Sequence, residues 1–348
     1  MFEPVGQGNG YRKEYIDSLE GALEKLRDNA EARRAAYFRR YFPKRSEVIR
    51  VKLREKLGWP LLQSERSVTC LKRELVGTRE GISIYRMQFA LLYGIRFYGM
   101  LFVREDGARR PLVIAQHGGL GTPEVVGGML ACGTDNYHHM VERLSALGAN
   151  VFAPQMLIWD PQRFRAREQD AQGDVNAMRR SLDSLLQQVG SSLTAIEIHA
   201  VSCAIDFLEK EPYTEPGRVG MLGLSYGGFY AMYASALDTR IRAALTSCSF
   251  NERGRGRRAA TDSIWGDSGN YFLDAEVALL SYPRKLRIQV AKRDQLLPYD
   301  GALREYARFE SLAKELTGDD SWYRFDPFEG RHEFCPDDEC LRWLIENC

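Results

Sequence analysis

The apolar run Val219-Gly220-Met221-Leu222 leads directly into Gly223-Leu224-Ser225-Tyr226-Gly227-Gly228, and then into a helical pattern of small and apolar residues. Few folds accommodate such a passage. The glycines two before and two after Ser225 let the backbone turn sharply while strand and helix pack closely. A serine on such a turn is held with its hydroxyl exposed above the sheet edge. The start of the helix after it, at Tyr226, brings a backbone N–H near that hydroxyl, where negative charge is stabilised. The apolar face Phe229, Met232, Tyr233 and Ala236 supports the helix that this reading requires.

The rest of the chain supplies a sheet for that turn. Between Ile82 and Val103 apolar and polar residues alternate in two runs that meet at Leu92-Tyr93-Gly94, which predicts an antiparallel hairpin. Short apolar strands follow at Leu112–Ala115, Asn150–Ala153, Val219–Leu222, Ile241–Leu245, Leu286–Val290 and Trp322–Phe325. Helices fit between them, notably Asn136–Leu147 with Gly148 as its stop. Another helix begins at Thr194, where Thr194 and Glu197 have the spacing of a capping box. Strand–helix alternation implies an α/β fold, with a mostly parallel central sheet, an antiparallel start and helices on both faces.

Residues 1–80 read as a helical extension that packs on this domain, and residues 81–348 as the domain itself. In the extension Ile16, Leu19, Leu23 and Leu26 recur at helical spacing, Pro43 interrupts, and Ser46 caps a second helix ending at Gly58. The extension offers a surface for contacts between copies of the chain. Two polar stretches, 156–192 and 251–270, leave from carboxyl ends of strands and are candidate lids or pocket walls. Trp159, Phe250 and Trp265 lie in them and could line a substrate site. The second stretch also holds the basic run Arg253-Gly254-Arg255-Gly256-Arg257-Arg258, read as a solvated loop unless one arginine faces the site.

A net charge of +1 gives no electrostatic case for nucleic acid or an acidic membrane as the main partner. No apolar run is long enough to span a bilayer, and the first residues lack the pattern of a signal peptide. Seven scattered cysteines fit reduced thiols, so a cytoplasmic protein is expected. No Cys/His set has zinc-site spacing, and no metal is expected.

A serine hydroxyl is a poor nucleophile without a base, and the base needs a partner to hold its tautomer. Of five histidines, His117, His138, His139, His199 and His332, only His332 follows Ser225. It sits in a loop after the last strand, where serine-acid-histidine order would place the base. The acid is expected at Asp294, in the loop directly after Leu286–Val290; Asp326 is the competing residue. Gln116-His117-Gly118-Gly119 follows an early strand, so Gly118 or Gly119 is expected to join the Tyr226 N–H in binding an oxyanion. His117 itself reads as a brace for that loop.

On His117-Gly118-Gly119, Gly223 to Gly228, Asp294 with Pro298, and Gly330-Arg331-His332-Glu333, the chain from about Ile82 onward resembles the α/β-hydrolase superfamily. Within it, the chain is most similar to the esterase branch of dienelactone-hydrolase-like proteins and acetyl xylan esterases. The His332-Glu333 pair looks like that of multifunctional carbohydrate acetyl esterases. The sequence departs from that group in having Tyr226 where glutamine is usual, and in lacking an Arg-Gly-Gln segment. The elbow and His117-Gly118-Gly119 also look like prolyl oligopeptidase catalytic domains, although the segment before Ile82 is too short for their propeller. The resemblance implies a serine carboxylic ester hydrolase without cofactor, acting on a small-molecule ester such as an acetylated sugar. The alternatives are a peptidase or amidase of the same fold, and a non-catalytic binding module.

Overall fold

The computed structural model describes residues 5–63, 66–130, 135–158, 175–253 and 267–348. Two long helices come first, α1 (Asn9–Tyr41) and α2 (Ser46–Leu57), and then strands β1 (Thr69–Arg79), β2 (Ile82–Ala90), β3 (Arg96–Val103) and β4 (Arg110–Gln116). Short helices α3 (Pro123–Val126) and α4 (Met140–Ala146) lead to β5 (Asn150–Pro154). Helices α5 (Val175–Gln188) and α6 (Leu193–Leu208) precede β6 (Thr214–Leu224), α7 (Tyr226–Leu237) and β7 (Ile241–Ser247). The chain ends with α8 (Ser268–Tyr271), α9 (Asp274–Leu279), β8 (Lys285–Ala291), α10 (Tyr299–Thr317), β9 (Tyr323–Phe328) and α11 (Glu339–Asn347).

The nine strands form one sheet in the order β1-β2-β3-β5-β4-β6-β7-β8-β9. The pairs β1–β2, β2–β3 and β3–β5 are antiparallel, and from β5 to β9 every pair is parallel. Central strands β4 to β8 are apolar on both faces because helices cover both. One face carries α2, α6, α7, α9 and α10, and the other carries α3, α4 and α11. The expected hairpin and six later strands are all present. The edge strand β1 corrects the reading of residues 1–80 as a helical extension: Thr69–Arg79 joins the sheet beside β2, and with most of its side chains exposed it carries no burial alternation to read.

Three local expectations are corrected. Helix α6 is capped by Ser192, whose hydroxyl accepts from the Ala195 N–H (3.0 Å), and Thr194 lies inside the helix. Glu197 is then free to serve a buried arginine instead of a cap. The stretch 136–147 is not one helix, because His138 and His139 adopt left-handed backbone (φ 46° and 54°) and α4 starts only at Met140. Ser46 is the first residue of α2, and its hydroxyl donates to the Pro43 carbonyl (2.7 Å).

The helical extension joins the main core through Phe38, Phe42, Ile49, Leu53 and Leu57. Arg50, a buried residue of α2, donates to the carbonyls of Ala236, in the last turn of α7, and Leu280, just past α9 (2.9 Å each), where helix ends leave acceptors without helical partners. By contrast, Ile16, Leu19, Leu23 and Leu26 are exposed, so the spacing that announced α1 marks its overhanging part, not its packed part. Among the described residues no helix is long and apolar enough to cross a membrane.

Candidate active site

β6 ends at Leu224, and Ser225 turns the chain into α7 with φ 59° and ψ −119°, a conformation costly for a residue with a side chain. The strain is held in place by the neighbouring backbone. The Ser225 N–H donates to the Ser247 carbonyl at the end of β7 (2.8 Å). A Cβ on Gly223 would lie 2.3 Å from the Gly227 carbonyl carbon, and one on Gly227 would lie 2.2 Å from the Gln116 carbonyl oxygen. Only glycine lets β6, α7 and the end of β4 approach this closely.

The loop after β4 lies against the same turn, since a Cβ on Gly118 would meet Ser225 Cβ at 3.3 Å. His117 braces this loop, as expected. It is fully buried; its Nε2 accepts from the Met156 N–H (3.0 Å), so Nδ1 carries the proton and donates to the Gly118 carbonyl (2.7 Å). Burial pushes its pKa down to about 4, which keeps it neutral. The two glycines are not equivalent. The Gly118 N–H already donates to the Tyr137 hydroxyl (2.9 Å), whereas Gly119 is exposed and its N–H donates to no described residue.

Asp294 and His332 meet from the loops after β8 and β9. His332 Nδ1 donates to Asp294 Oδ2 at 2.7 Å, and Asp294 Oδ1 accepts the Leu296 and Leu297 N–H groups (2.8 and 2.9 Å). Burial acts to raise the Asp294 pKa, but these hydrogen bonds, led by His332, outweigh it and hold the carboxyl below its usual range. With Nδ1–H committed to Asp294, the neutral ring keeps its lone pair on Nε2. The competing acid, Asp326, is instead paired with Arg287 and Arg324.

The His332 loop is tied down beyond the carboxylate. Cys248 Sγ donates to the Glu333 carbonyl (3.2 Å), the Phe334 N–H to the Asn136 carbonyl (2.7 Å), and Glu333 Oε2 faces His138 Nε2 (2.9 Å). Cys248 Sγ, an Asp294 oxygen and a His332 nitrogen lie within 4.8 Å of one another. Two of the three are already bonded to each other, and burial pushes the Cys248 thiol up to about 12.

Ser225 and His332 open on one cavity of about 180 Å³, walled by Tyr226, Phe229, Leu296 and Leu297. The Ser225 hydroxyl makes no hydrogen bond to His332 in this structure; such contacts commonly tighten only with substrate bound. A strained serine and a carboxylate-held imidazole thus open on one small cavity, an arrangement suited to acyl transfer.

Residues 118–249 match the model of the dienelactone hydrolase family. A protein of Bacillus subtilis (strain 168), YtaP, whose name classes it as a hydrolase, is 25% identical over 134 residues. That match covers 37% of this chain and 42% of YtaP, so the chain spans about two fifths of its relative's length. Among solved structures, a Bacteroides fragilis protein assigned as an acetyl xylan esterase superimposes with a TM-score of 0.61 at 15% identity, covering 83% of this chain and 75% of the other. The glucuronoyl esterase of Solibacter usitatus gives 0.56 at 16% identity, covering 86% and 90%. The fold is that of the α/β-hydrolases.

The remaining expected site residues divide. Arg253 lines the cavity: its Nε donates to buried Asp274 (2.6 Å), its Nη2 to the Ser249 carbonyl (2.8 Å), and its guanidinium lies 5.3 Å from the Phe229 ring centre. So the basic run, read as solvated, contributes at least one arginine to the wall. Phe250 does not line the cavity; it is buried in the core against Phe309, because its position just past β7 points it under α10. Trp159 and Trp265 lie outside the described residues, as do Arg255, Arg257 and Arg258.

Several contributors had no sequence signal. Tyr137, Cys248 and Leu296 act only because distant loops meet here. Beneath the site, Arg179 of α5 pairs with Glu197 of α6 (3.0 Å), and Glu197 also accepts from the Leu157 N–H (2.9 Å) and the Tyr230 hydroxyl. The Arg179 guanidinium lies 5.4 Å from the Tyr226 ring centre, so this buried pair supports the residue after Ser225.

Proposed function

We propose that the chain is a serine esterase that cleaves small carboxylic esters with short acyl groups, carried on a hydroxylated alcohol such as a sugar. The Asp294–His332 contact at 2.7 Å, beside the strained Ser225 on a common cavity, is the observation that carries this reading. Ser225 Oγ attacks the ester carbonyl while His332 Nε2 takes its proton. Asp294 holds the tautomer and stabilises the imidazolium. The Gly119 and Tyr226 N–H groups bind the oxyanion, since the Gly118 donor is spent on Tyr137. The alcohol leaves with the proton from His332, and water then attacks the acyl-enzyme with His332 as base.

The cavity supports a short acyl chain, being smaller than the roughly 300 Å³ at which drug-sized ligand sites begin. Its Phe229 and leucine walls suit a methyl or ethyl group. The structural neighbours named for acetyl xylan and glucuronoyl ester cleavage are consistent with a carbohydrate ester. The test is a fluorophosphonate probe with peptide mapping, followed by p-nitrophenyl esters and sugar acetates graded by acyl length. Labelling at Ser225 and a steep fall in kcat/KM beyond propionate are expected. Folded protein that is neither labelled nor active on any ester overturns the reading, and preference for aminoacyl anilides over esters replaces it with a peptidase.

A further inference from the structure

Helix α2 and the turn after it do not close fully on the main domain. Between them and helices α6 and α7 lies a cavity of about 340 Å³, above the roughly 300 Å³ at which ligand sites begin. It shares no lining residue with the Ser225 cavity. Its apolar lining is Val51 of α2, Leu61 and Leu62 of the turn, Ile198 of α6 and Leu237 of α7. Arg54, Arg66 and His199 also line it, and no carboxylate does among the described residues.

Two of these groups hold donors without acceptors. His199 is 4% exposed, and the one polar contact of its ring nitrogens among the described residues is Cys203 Sγ, 3.6 Å from Nδ1 and 3.7 Å from Nε2. A sulfur nearly equidistant from both nitrogens lies over the ring, because their in-plane bonding directions diverge. The ring N–H therefore has no acceptor in line with it, a state that buried donors seldom keep without a bound partner. Arg66 lies 3.3 Å from Asp206 and 3.9 Å from Asp238, yet its guanidinium makes no hydrogen bond among the described residues. Both carboxylates are held more closely by Arg240. Arg54, by contrast, is fixed by Glu47 (2.6 Å) and the Leu237 carbonyl (3.0 Å). Burial first, and then the charge of Arg66, push the His199 pKa down to about 4, with Asp206 opposing, so Arg66 and the ring act on one another.

We infer that this cavity binds a monocarboxylic acid with an apolar body, its carboxylate held by Arg66 and the His199 N–H and its chain laid against the apolar lining. A guanidinium fork matches a carboxylate, and a neutral imidazole adds a single donor to it. The apolar side chains supply what an inorganic anion would leave unused. The site stands apart from the esterase reading and does not depend on it. Since it joins α2 to α6 and α7, occupancy ties the helical extension to the core and stabilises the fold by mass action.

Calorimetric titration of the full chain with sodium octanoate should show saturable binding with a Kd below about 1 mM. The thermal midpoint should rise with octanoate concentration. Octanol, which lacks the charge, and acetate, which lacks the body, should each bind on the order of tenfold more weakly or worse. Arg66→Ala and His199→Leu should each weaken octanoate on the order of tenfold or more. Val51→Trp should abolish binding by filling the cavity. If His199→Leu does not fold, the other two variants decide, since Arg66 and Val51 are exposed. Absence of saturable binding, equal affinity for inorganic phosphate, or octanoate binding that survives Arg66→Ala and Val51→Trp, as it would in the Ser225 cavity, overturns the proposal.

Discussion

Replacing Asp294 by asparagine tests the catalytic geometry most directly, because the surrounding hydrogen bonds dictate how the amide must sit. Oδ1 of Asp294 accepts two N–H groups, from Leu296 and Leu297, while Oδ2 accepts one from His332. Asparagine keeps only one oxygen. Turning its NH₂ toward Leu296 and Leu297 would oppose donors to donors and lose two bonds, so the oxygen stays there and the NH₂ faces His332. Nδ1 must then accept, the ring proton moves to Nε2, and His332 can no longer take a proton from Ser225. A wrong tautomer in a serine triad costs about 10⁴-fold in kcat, or about 5.4 kcal/mol at 1.36 kcal/mol per decade. The packing is isosteric, so KM and the thermal midpoint should move little. The assay is steady-state hydrolysis of p-nitrophenyl acetate beside a thermal melt. A folded Asp294→Asn variant retaining more than a tenth of the parent kcat would refute the reasoning, showing that the Asp294–His332 bond does not select the tautomer.

Glu197→Ala should destabilise the fold by about 3–5 kcal/mol in urea unfolding, because it leaves the Arg179 guanidinium buried and unpaired; an unchanged midpoint would show that water replaces the carboxylate. Acid should also weaken the fold. His117 is held neutral by burial with a pKa of about 4 against 6.5 in the unfolded chain, so below pH 6.5 the unfolded state binds more protons. Stability from this group is fully present above pH 6.5 and is lost as the pH falls to 4, at about 1.4 kcal/mol per pH unit. His199, lowered to the same value by burial, acts in the same direction. Urea midpoints that stay level between pH 6.5 and 4.5 would contradict this.

Much of the site was legible because its parts are local. A glycine two residues either side of a serine, after an apolar strand, describes a turn whose closeness depends on neighbours that must be backbone. Chain order then left one histidine for the base, and the strand-end rule pointed to Asp294. The strands of the parallel core were legible for a similar reason: burial on both faces leaves short continuous apolar runs.

What stayed hidden depends on contacts between segments far apart in the chain. Gly118 and Gly119 look alike in sequence, and only the arrival of the Tyr137 hydroxyl shows which N–H is already used. Glu197 has capping-box spacing, yet a buried arginine eighteen residues earlier claims it. Arg253 belongs to a run that reads as solvated, and Asp274 draws it into the cavity wall. Sequence alone determined the fold class and the strand-end positions of Ser225, Asp294 and His332, since backbone turns and hydrophobic periodicity are properties of neighbouring residues. Tertiary structure alone decided which donors and charges are free to act on a substrate, because a polar group's chemistry depends on the partners that folding brings to it.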